Sequence, residues 1–189
     1  MNKKTWISLL ELGLRINVSF KLFIYGLGKI VGGQFYTKDT IPEAIARIPL
    51  GETGSYNLAW TFFGHSKGYI LFIGISQLLG VFLLLFNKTK LLGAAVLIPI
   101  LLNIIVVDYF YGVAYGALFS ACFYLGSILF VLFLNKEAVQ SAINSLLVSF
   151  TPKWTKKEKV VHIGVILGIF GLLFLIELFF INLLGYEDR

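Results

Sequence analysis

Long apolar runs alternate with short polar segments along this 189-residue chain. A helix needs about 20 apolar residues to cross a bilayer, because each residue adds about 1.5 Å of rise. Five runs reach or approach that length, and they predict membrane spans at residues 6–31, 69–86, 91–111, 113–134 and 160–184. The pattern predicts an all-α integral membrane protein, in which residues 1–134 hold four spans and residues 160–189 hold a fifth span and a short tail.

Two polar connections carry amphipathic patterns. Residues 32–67 join the first two spans, and the segment TIPEAIARIPL within them repeats apolar residues at helical spacing. Residues 135–159 join the last two spans, and KEAVQSAINSLLVSF shows the same spacing before the basic stretch TPKWTKKEK. Both patterns predict short helices lying on the membrane surface. The aromatic residues of SYNLAWTFFG, together with Trp154, are expected at the level of the lipid head groups.

The composition agrees with a membrane protein. Hydrophobic residues make up 58% of the chain and charged residues 14%, whereas soluble domains are about half apolar and about a quarter charged. The net charge of +6 does not indicate nucleic-acid binding, because the basic residues lie between the apolar runs and form no basic face interleaved with aromatic residues. The lipid bilayer is therefore the predicted surrounding.

The basic residues also predict an orientation. If the N-terminus is inside, the inner segments carry the lysines at positions 3, 4, 88, 90, 136, 153, 156, 157 and 159. The outer segments carry Lys38, Arg47, Lys67 and Arg189. Since positive charges accumulate on the cytoplasmic side, the bias predicts a multi-pass protein of a bacterial-type inner membrane, with its N-terminus cytoplasmic and its C-terminus outside.

The first span carries an unusual set of polar residues. On a helix Glu11, Arg15, Lys21, Tyr25 and Lys29 fall within about a third of the circumference, over about 27 Å of rise. A charge that faces lipid near the bilayer centre costs about 3 kcal/mol on insertion scales. This stripe is therefore expected to face the interior of the bundle or a partner.

Polar residues near the predicted midplane supply partners for one of these charges. Gln77 lies in the second span and Asn103 in the third, both about halfway through. Arg15 is expected to meet both of them.

Acidic residues in the outer half supply partners for the other charges. Asp108 lies near the outer end of the third span, and Glu177 lies in the outer half of the fifth span. Lys21 and Lys29 are expected to meet these carboxylates. Three interpretations remain open for the whole set: a buried network that fixes helix register, a site for a small molecule such as a quinone, a lipid or an ion, and a docking surface for another membrane subunit or a second copy.

Histidine and cysteine give weak chemical signals. His65 falls at the outer mouth of the second span and His162 at the inner start of the fifth, so they lie at different depths and disfavour a bis-histidine haem. No cluster of His, Cys and carboxylate residues has metal-ligand spacing, which predicts no metal site. His65 is a candidate contact for a ligand at the outer mouth. The single Cys122 excludes an intrachain disulfide.

Small residues and one proline predict details of packing. Gly112 and Gly116 lie four residues apart, as do Gly164 and Gly168, and this spacing predicts close approach of helices in lipid. Pro99 predicts a kink in the third span.

The middle of the chain resembles a known family. The runs FIGISQLLGVFLLL and NKTKLLGA, the LLNI sequence of the third span and the YGLGK sequence that ends the first span are similar to those of the DoxX-like family of small membrane proteins. The resemblance covers residues 6–134 and implies a four-helix membrane bundle, to which the fifth span is an addition. Family members often have an acid where this chain has Gln77, so a proton- or ion-carrying role of that position is in doubt here.

The resemblance implies function only broadly. The family has been linked to membrane redox complexes, quinone-coupled sulfur oxidation and receptor chaperoning. Since the chain has no phosphate-binding loop, nucleophile motif or metal cluster, no catalytic residue is predicted. The leading hypothesis is a non-catalytic subunit or small-ligand-binding module of a membrane redox or assembly complex, with no activity of its own.

Two alternatives use the intramembrane polar residues differently. A quinone-interacting oxidoreductase subunit would use Arg15, Lys21, Tyr25 and Gln77. A small transporter or proton path would use Glu11, Lys21, Asp108 and Glu177.

Overall fold

The computed structural model describes residues 2–147 and 155–184, and those residues form helices joined by short loops, without β-strands. The helices in chain order are α1 (Lys3–Ile30), α2 (Glu43–Ala46), α3 (Ser55–Gly64), α4 (Lys67–Leu85), α5 (Lys90–Phe110), α6 (Tyr115–Leu134), α7 (Lys136–Leu146) and α8 (Lys156–Leu184). A 3-10 turn, Leu50–Glu52, precedes α3. The prediction of an all-α chain is confirmed for these residues.

Four of the helices are long and apolar enough to cross a membrane, namely α4, α5, α6 and α8, so the chain is a helical membrane protein. The predicted limits of the three middle spans lie within two residues of the limits of α4, α5 and α6. Helix α1 is also long, at 28 residues, but it carries the charges of the polar stripe. That α1 crosses the membrane stays a prediction.

The chain divides into two compact units, Met1–Ser145 and Leu146–Arg189. In the first unit α1 packs against α4 and α6, α4 packs against α5, and α5 packs against α6, so the four long helices form a closed ring. An apolar core of residues from all four helices fills part of the ring, and it contains Val18, Leu22, Val81, Leu84, Ala94, Leu97, Leu101, Tyr124 and Ile128.

The second unit contains α8 as its main described element. Its apolar segment Lys157–Leu183 has no residue buried within the structure. A long, largely apolar helix with exposed side chains is typical of a segment whose surroundings are lipid.

Glycines set the closest helix contacts of the first unit. A Cβ on Gly93 would overlap the backbone of Leu83 and Leu84, and a Cβ on Gly80 would lie 2.7 Å from the Leu97 side chain. Helices α4 and α5 therefore approach closely only because these positions lack side chains. The glycine spacing of the sequence predicts close helix contacts at Gly112 and Gly116 instead. That prediction is wrong for Gly116, because nothing lies within 4 Å of a Cβ built there.

The first connection forms a small aromatic cluster next to the ring. Phe35, Ala59, Trp60 and Ile70 are buried together, and the Phe35 and Trp60 rings meet edge to face with centroids 5.7 Å apart. The aromatic segment SYNLAWTFFG folds as α3, and Trp60 is only 9% exposed. Its position at the head-group level stays a prediction.

The two predicted surface helices have different outcomes. Helix α7 is present over most of its predicted length and buries no residue, whereas the helix expected over residues 40–50 is limited to the four residues of α2. Pro49 explains the early end, because a proline disfavours helical geometry in the residue before it. Pro152, Trp154 and the C-terminal segment YEDR lie outside the described residues.

We predict that Gly93→Ala destabilises the protein by about 1–3 kcal/mol, because the added methyl group would force α5 away from the backbone of α4. Gly126→Ala in α6 is the matched control, since nothing lies within 4 Å of a Cβ at that position. Thermal unfolding of both variants in detergent measures the effect. Equal midpoints would contradict the close α4–α5 contact.

Candidate functional site

The polar residues of α1 form two separate centres. Arg15 and Lys29 are both buried, at 2% and 6% exposure, and 14 residues of helix between them correspond to about 21 Å. The two regions are called here the Arg15 end and the Lys29 end of the bundle.

At the Arg15 end, the Arg15 guanidinium caps the C-terminus of α4 by donating hydrogen bonds to its last carbonyls. Its Nε donates to the carbonyl oxygen of Leu84 at 2.8 Å, and Nη2 donates to the carbonyl oxygen of Leu85. Nη1 donates to Asn87 Oδ1 at 2.6 Å in the turn that follows. The last carbonyls of a helix have no partner within the helix, and they carry its negative dipole end, so a buried cation satisfies both requirements.

Glu11 connects this contact to α5. Its carboxylate accepts from Arg15 Nη1 at 3.3 Å and from Lys90 Nζ at 2.7 Å, and Lys90 is the first residue of α5. One acid between two bases thus ties α1 to the junction of α4 and α5. Because every charge has a partner here, the arrangement is suited to holding helices rather than to binding a ligand.

The predicted partners of Arg15 are wrong. Arg15 contacts neither Gln77 nor Asn103, because it reaches the very end of α4. Gln77 lies eight residues before that end, which corresponds to about 12 Å of helix.

At the Lys29 end, a buried relay of hydrogen bonds joins α1 to α4. Lys29 Nζ donates to Gln77 Oε1 at 2.8 Å, and Gln77 Nε2 donates to the carbonyl oxygen of Leu22 at 2.6 Å. Gln77 is 1% exposed. The amide is therefore fixed in orientation, with its oxygen toward the ammonium.

Asp108 brings a second charge to this end. It is 8% exposed and interacts electrostatically with Lys29, as expected from the sequence, but no ion pair within 4.0 Å joins the two. Among the residues that the structure describes, none makes a hydrogen bond to the Asp108 side chain. Its oxygens are not completely enclosed by protein, so the carboxylate is open to a partner from outside the chain.

A partly open cavity of about 620 Å³ lies beside these groups, between the four helices of the ring. Lys29, Gln77 and Asp108 form its polar end, and Tyr25 and Asn103 also line it. Most of its wall is apolar or aromatic, including Phe35, Trp60, Phe63, Phe72 and Tyr124. Two of the wall residues, Tyr25 and Phe72, are 47% and 66% exposed, so the cavity is open to the surroundings of the helices.

The cavity includes residues that the sequence did not single out as a site. Trp60 and Phe35 come from the first connection, and the only sequence signal was the aromatic density of that segment.

The Arg15 end also includes residues that the sequence did not single out as a site. Asn87 and Lys90, in the turn NKTK, belong to it. The signal there was a basic turn after a long apolar helix, whose terminal carbonyls need donors.

Lys21 does not lie on the buried face of α1, contrary to the predicted polar stripe. It is exposed, and no hydrogen bond or ion pair holds it to any described residue. The buried face of α1 extends from Val18 to Ser19 around the helix, through about 100°, and Lys21 lies about 60° beyond its edge. The expectation that all five polar residues face the interior is wrong for Lys21, and Tyr25 is 47% exposed although it lines the cavity.

Two further predicted residues, Glu177 and His65, are both exposed. Glu177 is an exposed residue of α8 in the second unit, so its pairing with a lysine of the first span stays a prediction. His65 is exposed at the end of α3 and is not part of the cavity wall. Within residues 2–147 and 155–184, no group of three or more His, Cys, Asp or Glu side chains is placed to hold a metal ion.

The chain is similar to a known bacterial protein over part of its length. The uncharacterized protein YwoB of Bacillus subtilis (strain 168) is 42% identical over 95 residues, which are 50% of this chain and 58% of YwoB. The matched region therefore spans a little over half the length of that relative. No protein-family model matches the chain. No solved structure matches it either.

We predict that Arg15→Leu lowers the free energy of unfolding by about 3–5 kcal/mol, because it leaves the last carbonyls of α4 without their donors and Glu11 with Lys90 as its single ion-pair partner among the described residues. Lys21→Leu removes an exposed charge from the same helix and serves as the matched control, with no loss of stability expected. Unfolding by denaturing detergent, followed by circular dichroism, compares the two. A similar stability for both variants would show that the Arg15 contacts contribute little.

Proposed function

We propose that this chain is a DoxX-like membrane protein that binds a small amphipathic molecule in the cavity at the Lys29 end, as a non-catalytic subunit or module of a membrane redox or assembly complex. The observation that carries the proposal is the Asp108 carboxylate, which has no hydrogen-bond partner among the described residues and lies at the polar end of an otherwise apolar cavity. A ligand with an apolar body and a polar head suits both parts of this cavity.

The size and surroundings of the cavity support this proposal. Small-molecule sites have volumes of about 300–1,000 Å³ and combine apolar walls with a few placed polar groups. The cavity here, at about 620 Å³, lies within that range, and its exposed wall residues allow entry from the bilayer. The closed ring of α1, α4, α5 and α6 supports assignment of the first unit to a DoxX-like four-helix module.

A quinone is a second candidate ligand, and one observation favours it. Tyr25 and Gln77 line the same cavity, so two of the four polar residues proposed for a quinone head lie together. Arg15 is not among them, because its donors are used at the end of α4.

The transporter alternative has less support. In the proposed path a proton or an ion would have to pass between Glu11 and Asp108. The apolar core of the ring lies between the two ends of the bundle that hold these residues. Apart from the Tyr124 hydroxyl, the described residues of that core carry no polar side-chain group that could pass a proton or an ion between the two ends.

Binding is tested by purifying the protein from native membranes in mild detergent and measuring bound molecules by native mass spectrometry. We expect a co-purifying small amphipathic molecule, which Ala121→Phe displaces at least tenfold by filling the cavity, since Ala121 is a buried wall residue. Ala95→Phe, at an exposed position of α5, should retain it. Recovery of the bare chain, with neither a bound molecule nor a partner protein, would count against the proposal.

The proposed orientation places the N-terminus in the cytoplasm of a bacterial-type inner membrane and the Lys29 end outside. In a Cys122→Ser background, we expect a cysteine at Ser66 to react with a membrane-impermeant maleimide in intact cells. A cysteine at Thr89, in the turn after α4, should react only after the membrane is opened. The reverse labelling pattern would invert the orientation.

A further inference from the structure

We infer that the cavity at the Lys29 end selects amphiphiles whose head group is an uncharged hydroxyl, which bridges Lys29 and Asp108. The inference rests on the proposed function, since it specifies the ligand that the cavity takes. It follows from how the two charges are placed relative to each other and to the apolar wall.

Lys29 and Asp108 are the charged residues of the cavity wall. They have opposite signs, both are more than nine-tenths buried, and they are separated by more than the 4.0 Å of an ion pair. An ammonium has three hydrogen atoms to donate, of which Lys29 uses one on Gln77, and a carboxylate only accepts. The polar end therefore offers a donor and an acceptor with a gap between them.

A hydroxyl group matches this pair because it accepts and donates at the same time. It accepts from the Lys29 ammonium and donates to the Asp108 carboxylate, and it adds no charge to the cavity. A carboxylate head would meet the like charge of Asp108, and a trimethylammonium head would meet that of Lys29, with nothing to donate to the acid. A zwitterionic head would lose the hydration of two charges, which costs several kcal/mol for each ion.

The cavity wall contains a natural reporter. Trp60 lines the cavity and is 9% exposed, whereas Trp6 lies at the other end of α1 and is 62% exposed. A variant with Trp6→Phe and Trp154→Phe has Trp60 as its single tryptophan. A second variant with Trp60→Phe and Trp154→Phe retains Trp6 and reports quenching by amphiphile in the surrounding detergent.

The experiment uses amphiphiles of one chain length, brominated in the chain, with hydroxyl, carboxylate, trimethylammonium or phosphocholine heads. Bromine quenches tryptophan fluorescence on contact. We expect the hydroxyl compound to quench Trp60 at concentrations at least tenfold lower than the other three compounds. Trp6 should show no such order.

Single-charge variants should change the preferred head group. Asp108→Asn leaves the ammonium alone, so the carboxylate compound is expected to bind at least tenfold better than to the parent protein. Lys29→Met leaves the carboxylate alone, so the trimethylammonium compound should gain similarly. Asp39→Asn and Lys21→Met remove exposed charges of the same types and should preserve the original order.

The outcomes separate the two proposals. If none of the four compounds quenches Trp60 above the Trp6 background, the proposed ligand-binding function fails, and the inference with it. If all four quench Trp60 equally, or a charged or zwitterionic compound binds best, the cavity binds amphiphiles but the hydroxyl selection is overturned. The order measured on the single-tryptophan parent is decisive even if a charge variant does not fold.

Discussion

A charged group buried among apolar helices must have its hydrogen bonds and its charge satisfied by protein, and Arg15 shows how this chain meets that requirement. Its guanidinium occupies the place where α4 ends with unpaired carbonyls. The contact offsets the cost of burying a cation against the cost of leaving the last carbonyls of a helix, at the negative end of its dipole, without donors. Glu11 then extends the contact to α5, so that the Arg15 end fixes the positions of three helices.

The apolar core next to this contact divides the bundle into a tightly packed part and a part that contains the cavity. With the Arg15 end closed and the middle filled by aliphatic side chains, the Lys29 end is left with the cavity. Close glycine contacts hold α4 against α5 at Gly80 and Gly93, whereas the cavity wall includes Pro99 and residues that follow it on α5. Rigid packing in one half and open space in the other is an arrangement suited to a binding site on a stable support.

Sequence reasoning was most accurate where one physical quantity dominates. The three middle spans were located within two residues, because the cost of placing backbone and polar groups in lipid makes hydropathy a strong signal. It was less accurate for side-chain neighbours. The 100° rule put Lys21 on the same stripe as Arg15, but it does not give the width of the face that other helices cover, and Lys21 falls just outside it. Likewise, glycine spacing indicated close packing at Gly116, whereas the contacts occur at glycines without that regular spacing.

The sequence by itself determined that this is a helical membrane protein with ionisable groups that need protection from lipid, because both facts depend on composition and periodicity along the chain. Only the tertiary structure decided which groups protect which. Pairing across helices depends on their order around the ring and on their relative displacement along the membrane normal, and neither is encoded locally. That is why the Arg15 partners and the cavity between Lys29 and Asp108 emerged only from the folded chain.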